Sequence, residues 1–299
     1  MTLKEYYKKY DRQINKKIAE ALREDKAADD ITTGLILKGN AVDKKQKAVL
    51  LCKQDCILSG LEIFKKVYRK IDPKIKFQSF YKDGNHVRNK TKVMIVEASL
   101  RNLLIGERVA LNFLQIMSGI ATLTNRFVKK LKYKGARILH TRKTTPNFRV
   151  FEIAAVKIGG GDFHRIDLSS AVMIKDNHIE AVGNINDVMS SLNKVRNKLR
   201  KNNKLMHRFE IEVKNLREIE AVIKHGKGIV KIVMLDNFKP AEISEALQII
   251  DGNFETEASG GITINNIEAY AQTGVHYISV GALIHQAASL DLSLKAVLT

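Results

Sequence analysis

The chain has 299 residues, with 51 Lys and Arg against 32 Asp and Glu, for a formal net charge of +19. A hydrophobic fraction of 44% with 28% charged residues excludes general disorder, and 18 Gly with 3 Pro exclude collagen-like and proline-rich classes. The length suits two domains or one large α/β unit, and the charge points to nucleic acid, a membrane surface or a strongly anionic small molecule.

Residues 3–24 carry Leu3, Tyr7, Ile14, Ile18 and Leu22 at helical spacing with charges between them, which predicts an amphipathic helix. Three β-like runs follow at 47–52, 74–81 and 92–99, punctuated by Asp72-Pro73 and by the turn Lys82-Asp83-Gly84-Asn85. A long helix is expected from Gly106 to about Leu131. Its uncharged part, Val109 to Asn125, is shorter than the ~20 apolar residues of a membrane span. It also contains Asn112, Gln115, Ser118, Thr122 and Thr124, so it reads as a buried helix. The segment MTLKEYYKKYDRQ has no apolar run of the kind a secretory signal needs. Cys52 and Cys56 make no disulfide framework, and no second Cys/His pair lies nearby to complete a zinc site. A soluble, cytoplasmic protein is expected.

From residue 136 the rhythm becomes strand then helix. β-like runs fall at 136–141, 171–176, 208–213, 228–235, 254–259 and 276–281, with helical patterns at 186–200, 215–225, 240–250 and 264–273. This alternation implies right-handed βαβ units and a parallel sheet. No GxGxxG turn follows the first strand, which favours a barrel over a dinucleotide-binding sheet. Barrels present functional side chains at the C-terminal ends of their strands.

Those ends are rich in chemistry. The first carries His140-Thr141-Arg142-Lys143, the second Lys175-Asp176-Asn177-His178 and the fourth Asp236-Asn237. Glu210 and Glu212, two apart on the third run, share one face and need a cation there. Lys214 is the ordinary structural partner; Lys143, Lys175 or magnesium would be functional ones. Gly159-Gly160-Gly161 before His164-Arg165 would let backbone approach a ligand and then supply donors. Ser259-Gly260-Gly261 precedes a helix, where free amides suit phosphate, and Gly281-Ala282 exposes backbone in the same sector. His86, His207 and His225 have no ligand spacing between them.

Taken in order, ERVALNFLQIMSGIATLT (107–124), TRKTTPNFRVFE (141–152), GGGDFHRIDLSSAVMIKDNHI (159–179), FEIEVKNLREIEAV (209–222), VMLDNF (233–238) and EASGGITINNIEAYAQTGVHYISVGALIH (257–285) resemble the quinolinate phosphoribosyltransferase family. Near the start, EDKAADDITTGLI (24–36) is similar to that family's acidic-ITT segment. The resemblance implies an N-terminal α/β sandwich over 1–108 and an open α/β barrel of fewer than eight strands over 109–283, the type II phosphoribosyltransferase fold. It also implies a last helix, 284–299, that returns to the N-terminal domain. The implied reaction joins quinolinate to phosphoribosyl pyrophosphate, with Mg2+, and yields nicotinate mononucleotide, carbon dioxide and pyrophosphate in NAD biosynthesis.

By the same resemblance, quinolinate would be held by Arg142, His164, Arg165 and Lys175, with Arg108 supplied across the dimer. Lys143 would contact substrate or donor, and Glu212 and Asp236 would sit near the ribose and the magnesium. Ser259, Gly260, Gly261, Gly281 and Ala282 would bind the 5′-phosphate. The implied assembly is a homodimer or dimer-based hexamer with shared sites, with no nucleic-acid or membrane partner.

Two positions depart from the family pattern. His140 stands where Asp is usual before TRKT, which is expected to alter local charge and the pH optimum. Asn147-Phe148 stands where Gly-Leu often follows the proline. The basic stretch 193–208 is no family motif and reads as a solvated helix face and loop. A nicotinate phosphoribosyltransferase-like paralogue is the enzymatic rival, against which KDNHI and the complete Arg/His-Arg/Lys set count. A basic nucleic-acid-binding protein is the rival of another class, without RNP-like or zinc-finger spacing to support it.

Overall fold

A computed structural model of the chain describes residues 1–36, 44–131, 135–201 and 208–297. His207, the 202–207 part of the basic stretch and the last two residues of the expected terminal helix lie outside the described residues. Contacts divide the chain into two compact units: Met1–Asn125, Thr144–Gly160 and Leu283–Thr299 form the first, and Arg126–Lys143 with Gly161–Ala282 the second.

The chain runs through α1 (Leu3–Glu24), α2 (Ile31–Ile36), β1 (Lys45–Cys52), β2 (Cys56–Ile57), α3 (Leu61–Ile71), β3 (Lys76–Ser79), β4 (His86–Val87), β5 (Lys92–Ser99) and α4 (Leu100–Lys130). It continues with β6 (Arg137–Leu139), α5 (Arg149–Ile158), β7 (Val172–Ile174), α6 (Asp176–Val182), α7 (Ile185–Arg200), β8 (Phe209–Val213) and α8 (Leu216–Gly226). It ends with β9 (Ile232–Asp236), α9 (Pro240–Ile250), β10 (Glu255–Ser259), α10 (Ile267–Gln272), β11 (Tyr277–Ser279), α11 (Ala282–His285) and β12 (Leu292–Val297).

In the first unit, Thr2 and Glu5 cap α1 reciprocally: the Glu5 amide donates to Thr2 Oγ1 at 3.2 Å and the Thr2 amide to Glu5 Oε2 at 2.7 Å. Tyr6, Ile14 and Ile18 are the buried stripe of α1, and the Tyr6 hydroxyl donates to the Val150 carbonyl of α5 at 3.0 Å. The sheet is antiparallel, in the order β12-β1-β5-β3. Helix α4 is long and apolar enough to cross a membrane by composition, but much of its apolar surface is core: Leu103, Ala110, Leu114, Met117, Ile120 and Ala121 are all buried. Cys52 and Cys56 are buried free thiols with their Sγ atoms 3.5 Å apart.

Two expectations are corrected here. The segment expected as a terminal helix contains the strand β12, with Leu292 and Leu294 buried on one face and paired with Cys52 and Leu50 of β1. A period of two in Leu-Ser-Leu, beside a strand whose second edge needs hydrogen-bond partners, outweighs the helical tendency of the segment. The division between units also differs from a cut at 108/109. That point lies inside the continuous helix α4, and α5 packs on α1 in the first unit although its sequence falls between two barrel strands.

The second unit is a six-stranded sheet in the order β6-β11-β10-β9-β8-β7, parallel at every pairing, with β6 and β7 at its edges. This is the open barrel of fewer than eight strands. Register places Glu212 beside Met234, Met234 beside Glu257 and Glu257 beside Tyr277, so these side chains share one face. The opposite face, with Ile211, Val213, Val233, Leu235, Ala258 and Ile278, is buried aliphatic surface. Burial on both faces is the mark of a parallel sheet covered by helices, and it forces the inward charges to find partners.

Candidate active site

The strand ends collect charge as the barrel logic requires. Lys175, just past β7, is N-cap of α6 and its Nζ lies 2.5 Å from Glu212 Oε2. Glu212 is almost fully buried while Lys175 keeps 42% of its side chain exposed, so the cation reaches solvent and the anion does not. Lys214 is turned away from the paired glutamates, to Asp176 at 3.2 Å and Glu180 at 3.5 Å. The ordinary reading of Lys214 as their partner is therefore wrong, because α6 offers it closer carboxylates.

Glu210 belongs to a different cluster. Its Oε2 lies 3.3 Å from His164 Nε2 and 3.2 Å from Arg208 Nε. Glu257 completes the group, with Oε1 3.3 Å from His164 Nε2 and Oε2 2.5 Å from Arg208 Nη2. Both carboxylates and the imidazole are buried, and only 13% of the Arg208 side chain is exposed. Burial pushes His164 down, but the charges and hydrogen bonds of Glu257 and Glu210 outweigh it and raise it to about 9. Burial also opposes ionisation of Glu257, yet His164 and Arg208 hold it as the anion; burial and the Glu257 charge push Glu210 up. The ligand atoms of His164, Glu210 and Glu257 lie within 4.8 Å of one another, as a metal centre would require. Arg208 already supplies two cationic nitrogens to the same two carboxylates, so a guanidinium meets the charge of this cluster.

His140 sits behind His164. Its Nδ1 faces the Thr141 carbonyl at 3.2 Å, and its Nε2 accepts the His164 amide at 3.1 Å. Burial, and then the charge of His164, push His140 down to about 3. The imidazole is therefore neutral at working pH, so relative to an aspartate the position loses a negative charge without gaining a positive one. Its role is to accept the His164 amide and hold the 161–165 segment to β6, where the Asp162 amide also donates to the Ile138 carbonyl at 2.7 Å.

Arg165 follows directly, and its amide lies 2.6 Å from His164 Nδ1. Burial, then the Arg142 charge, lower its pKa, while Glu210 and Glu212 raise it, which places the two arginines and the two glutamates in one field. Arg142 is half-buried and Lys143 exposed at the end of β6. Arg108 is exposed on α4 in the first unit.

The glycines divide into two kinds. A Cβ on Gly159 would meet the Ala121 carbonyl at 2.5 Å and Thr124 Cβ at 2.7 Å. The triple glycine thus begins with a close approach to α4 rather than to a ligand, contrary to expectation. Gly260 is different. Its φ is +94°, and a Cβ there would lie 2.1 Å from Asn237 Oδ1 and 2.9 Å from the Asn237 amide nitrogen. The Asn237 amide donates to the Ser259 carbonyl at 2.8 Å, and Asn237 Nδ2 to Asp236 Oδ2 at 2.6 Å, so the ends of β9 and β10 form one tight unit. Asn266 braces the same turn: its Oδ1 accepts the Thr263 amide at 2.7 Å and its Nδ2 donates to the Gly261 carbonyl at 3.0 Å. The Ser259 and Gly261 carbonyls and the side chains of Asn237 and Asn266 are thus spent on holding the turn. Gly281 and Ala282 follow β11, whose neighbouring Val280 amide is tied to the Leu139 carbonyl at 3.1 Å.

The second departure in the sequence also has a structural reason. Asn147 adopts φ +65°, and asparagine tolerates this left-handed conformation better than any residue but glycine. Its Oδ1 accepts from Lys17 Nζ at 3.0 Å. Phe148 stacks on Phe113 with ring centroids 5.4 Å apart and an interplanar angle of 18°.

A parallel barrel whose strand ends join arginines, a lysine–carboxylate pair, an acidic strand terminus and an amide-bearing glycine turn defines an enzyme site for an anionic, phosphate-bearing substrate. The chain matches the models for the quinolinate phosphoribosyl transferase N-terminal domain over residues 30–118 and C-terminal domain over 120–295. It is 39% identical over 289 residues to a probable nicotinate-nucleotide pyrophosphorylase [carboxylating] of Methanocaldococcus jannaschii, covering 94% of this chain and 96% of the relative. It is 38% identical over 266 residues to the mitochondrial quinolinate phosphoribosyltransferase [decarboxylating] 2a of Nicotiana tabacum, covering 85% and 74%. The solved nicotinate-nucleotide pyrophosphorylase of Francisella tularensis superposes with a TM-score of 0.82 at 35% identity, over 95% of this chain and 97% of that one. The chain belongs to the quinolinate phosphoribosyltransferase family.

Arg208 and Glu257 belong to the cluster around His164 although the sequence reading gave neither a role, Glu257 being noted only as a strand end. Glu257 was legible as a third carboxylate on the inward face of its strand, two residues before Ser259. Arg208 was absorbed into the basic stretch and read as solvated.

Proposed function

We propose that the protein transfers the phosphoribosyl group of phosphoribosyl pyrophosphate to quinolinate, with decarboxylation, giving nicotinate mononucleotide, carbon dioxide and pyrophosphate for NAD biosynthesis. The observation that carries this is the meeting of Arg142, Arg165 and Lys175 with Glu212 at the strand ends of a barrel matched by both family models. Quinolinate is a dianion. Arginine forks and a lysine point charge hold its carboxylates and set the ring nitrogen against C1 of the ribose.

Departure of pyrophosphate leaves an oxocarbenium-like centre, which the carboxylates of Glu212 and Asp236 stabilise electrostatically. Lys175 pairs with Glu212 at 2.5 Å, and Lys143, exposed beside Arg142, meets substrate or donor. The amides of Gly260 and Gly261, with Ser259 and the Gly281-Ala282 backbone, take the 5′-phosphate. Once the ring nitrogen is cationic, the ring accepts the electron pair of the leaving carboxylate; C2 then takes a proton, and no dedicated base is needed. Both His164 nitrogens are turned to the protein, so His164 serves quinolinate binding by orienting Arg165.

Mg2+ fits the donor set. It takes hard oxygen ligands, usually one or two carboxylates together with substrate phosphates, and Glu212 and Asp236 offer such oxygens from adjacent strands. When bound it neutralises the departing pyrophosphate. Arg108, exposed on α4, is assigned to the site of a second copy, in a homodimer or dimer-based hexamer. A cytoplasmic setting completes the assignment.

The test is an assay of the purified protein with quinolinate, the donor and Mg2+, following nicotinate mononucleotide and carbon dioxide. Turnover of nicotinate without turnover of quinolinate overturns the assignment and favours the paralogue.

A further inference from the structure

Arg208 closes the basic stretch, yet it does not behave as a surface residue. Its guanidinium bridges Glu210 and Glu257 at 3.2 and 2.5 Å and lies 5.4 Å from the centre of the Tyr277 ring. The same two carboxylates flank His164 Nε2, each at 3.3 Å. On the other side of the imidazole, Nδ1 faces the Arg165 amide at 2.6 Å. A continuous chain of contacts thus joins Arg208 to the main chain of Arg165, which the proposed function assigns to quinolinate.

We propose that Arg208 is a positioning residue for the quinolinate clamp, acting on Arg165 through Glu210, Glu257 and His164; this rests on the quinolinate assignment above. Two buried carboxylates carry one negative charge more than the His164 imidazolium can balance, and Arg208 supplies the second cation. A planar fork can hold both at once, which a point charge cannot. With the fork in place, the two carboxylates fix the plane of the His164 ring, and the ring fixes the Arg165 backbone. Without it the carboxylates separate or draw in water, and the ring loses the pair of acceptors that sets its rotation. Arg165 then presents its guanidinium from a looser segment. The phosphate-binding turn is braced independently, by Asn237 and Asn266. Loss of Arg208 therefore weakens quinolinate binding selectively.

The experiment compares wild type, Arg208→Lys and Arg208→Gln in steady-state kinetics with each substrate varied, together with thermal melting. Wild-type turnover of quinolinate establishes the assignment on which the proposal rests; its absence removes both. Arg208→Gln is expected to raise KM for quinolinate by roughly tenfold or more, the worth of a charge-assisted hydrogen bond, while KM for the donor stays within about twofold. Arg208→Lys, which keeps the charge and loses the fork, is expected to fall between. An unchanged quinolinate KM in folded Arg208→Gln overturns the proposal. So does an equal rise of both KM values with a fall in kcat, which would show a merely structural role. If Arg208→Gln does not fold, Arg208→Lys decides, and a wild-type quinolinate KM in that variant overturns the proposal.

Discussion

Gly260→Ala isolates what the turn after β10 requires. The added methyl would sit 2.1 Å from Asn237 Oδ1 and 2.9 Å from the Asn237 amide nitrogen, far inside van der Waals contact. The asparagine side chain can swing away, at the loss of its hydrogen bond to Asp236, but its backbone is pinned to the Ser259 carbonyl at 2.8 Å. A φ of +94° adds conformational strain of about 1–2 kcal/mol for an L residue. Overpacking against fixed backbone adds about 1–3 kcal/mol. The expected destabilisation is therefore roughly 2–5 kcal/mol, or a fall in Tm of about 5–15 °C. Gly252→Ala is the control, because Gly252 has φ +69° and nothing within 4 Å, so that variant carries strain alone. The assay is thermal melting of both variants with the KM for the phosphoribosyl donor. Gly260→Ala should melt well below Gly252→Ala and raise the donor KM, since opening the turn moves the amides that take the phosphate. Equal Tm values for the two variants would refute the claim that close approach to Asn237 demands glycine, and an unchanged donor KM would refute the phosphate role.

Three further outcomes are expected. Glu212→Gln leaves Lys175 without its anion and removes a carboxylate from the ribose, so kcat should fall by about 100-fold or more with the fold intact, as read by turnover and circular dichroism. Burial pushes Asp83 up from 3.8 to about 6, although its Oδ1 accepts the Gly60 and Leu61 amides at 2.9 and 2.8 Å. Between pH ~4 and ~6 the unfolded chain carries this charge while the folded protein still holds the proton. Stability is thus lost as pH rises through that window, by up to about 3 kcal/mol. Asp83→Asn should flatten the pH dependence of urea midpoints there. His140, pushed down to about 3, should show no imidazole titration between pH 5 and 8 by NMR, and stability should fall as pH drops below about 6.5 because the unfolded chain alone takes up that proton.

Much of the fold was legible in the sequence because the strands obey a strict rhythm. The six β-like runs after residue 136 all contain strands of the barrel, and Glu210 and Glu212 were readable as inward carboxylates from their spacing alone. What spacing could not supply was partner choice. Lys214 and Arg208 both lie near Glu210 and Glu212 in sequence, and a period of two puts them on the same face. The structure sends Lys214 to α6 and Arg208 into the barrel. The difference is long-range: α6 brings Asp176 and Glu180 to one end of β8, and β10 brings Glu257 to the other. The same blindness hid β12, whose strand form depends on an edge of β1 more than 200 residues earlier in the chain.

The charge of +19 is clarified by the same contrast. At two places in the barrel the cations are locally paired, Arg208 with Glu210 and Glu257 and Lys175 with Glu212. A net count therefore says little about this pocket. In the proposed site Lys175 remains 42% exposed while its partner Glu212 is buried. An incoming carboxylate meets the cation first, in a setting of reduced dielectric where the interaction is strong. Positive charge outside the proposed site can raise the encounter rate with anionic substrates but cannot orient them. Raising the salt concentration should accordingly lower kcat/KM while leaving kcat nearly unchanged, since steering is screened over about a Debye length and the contacts of the bound complex are not.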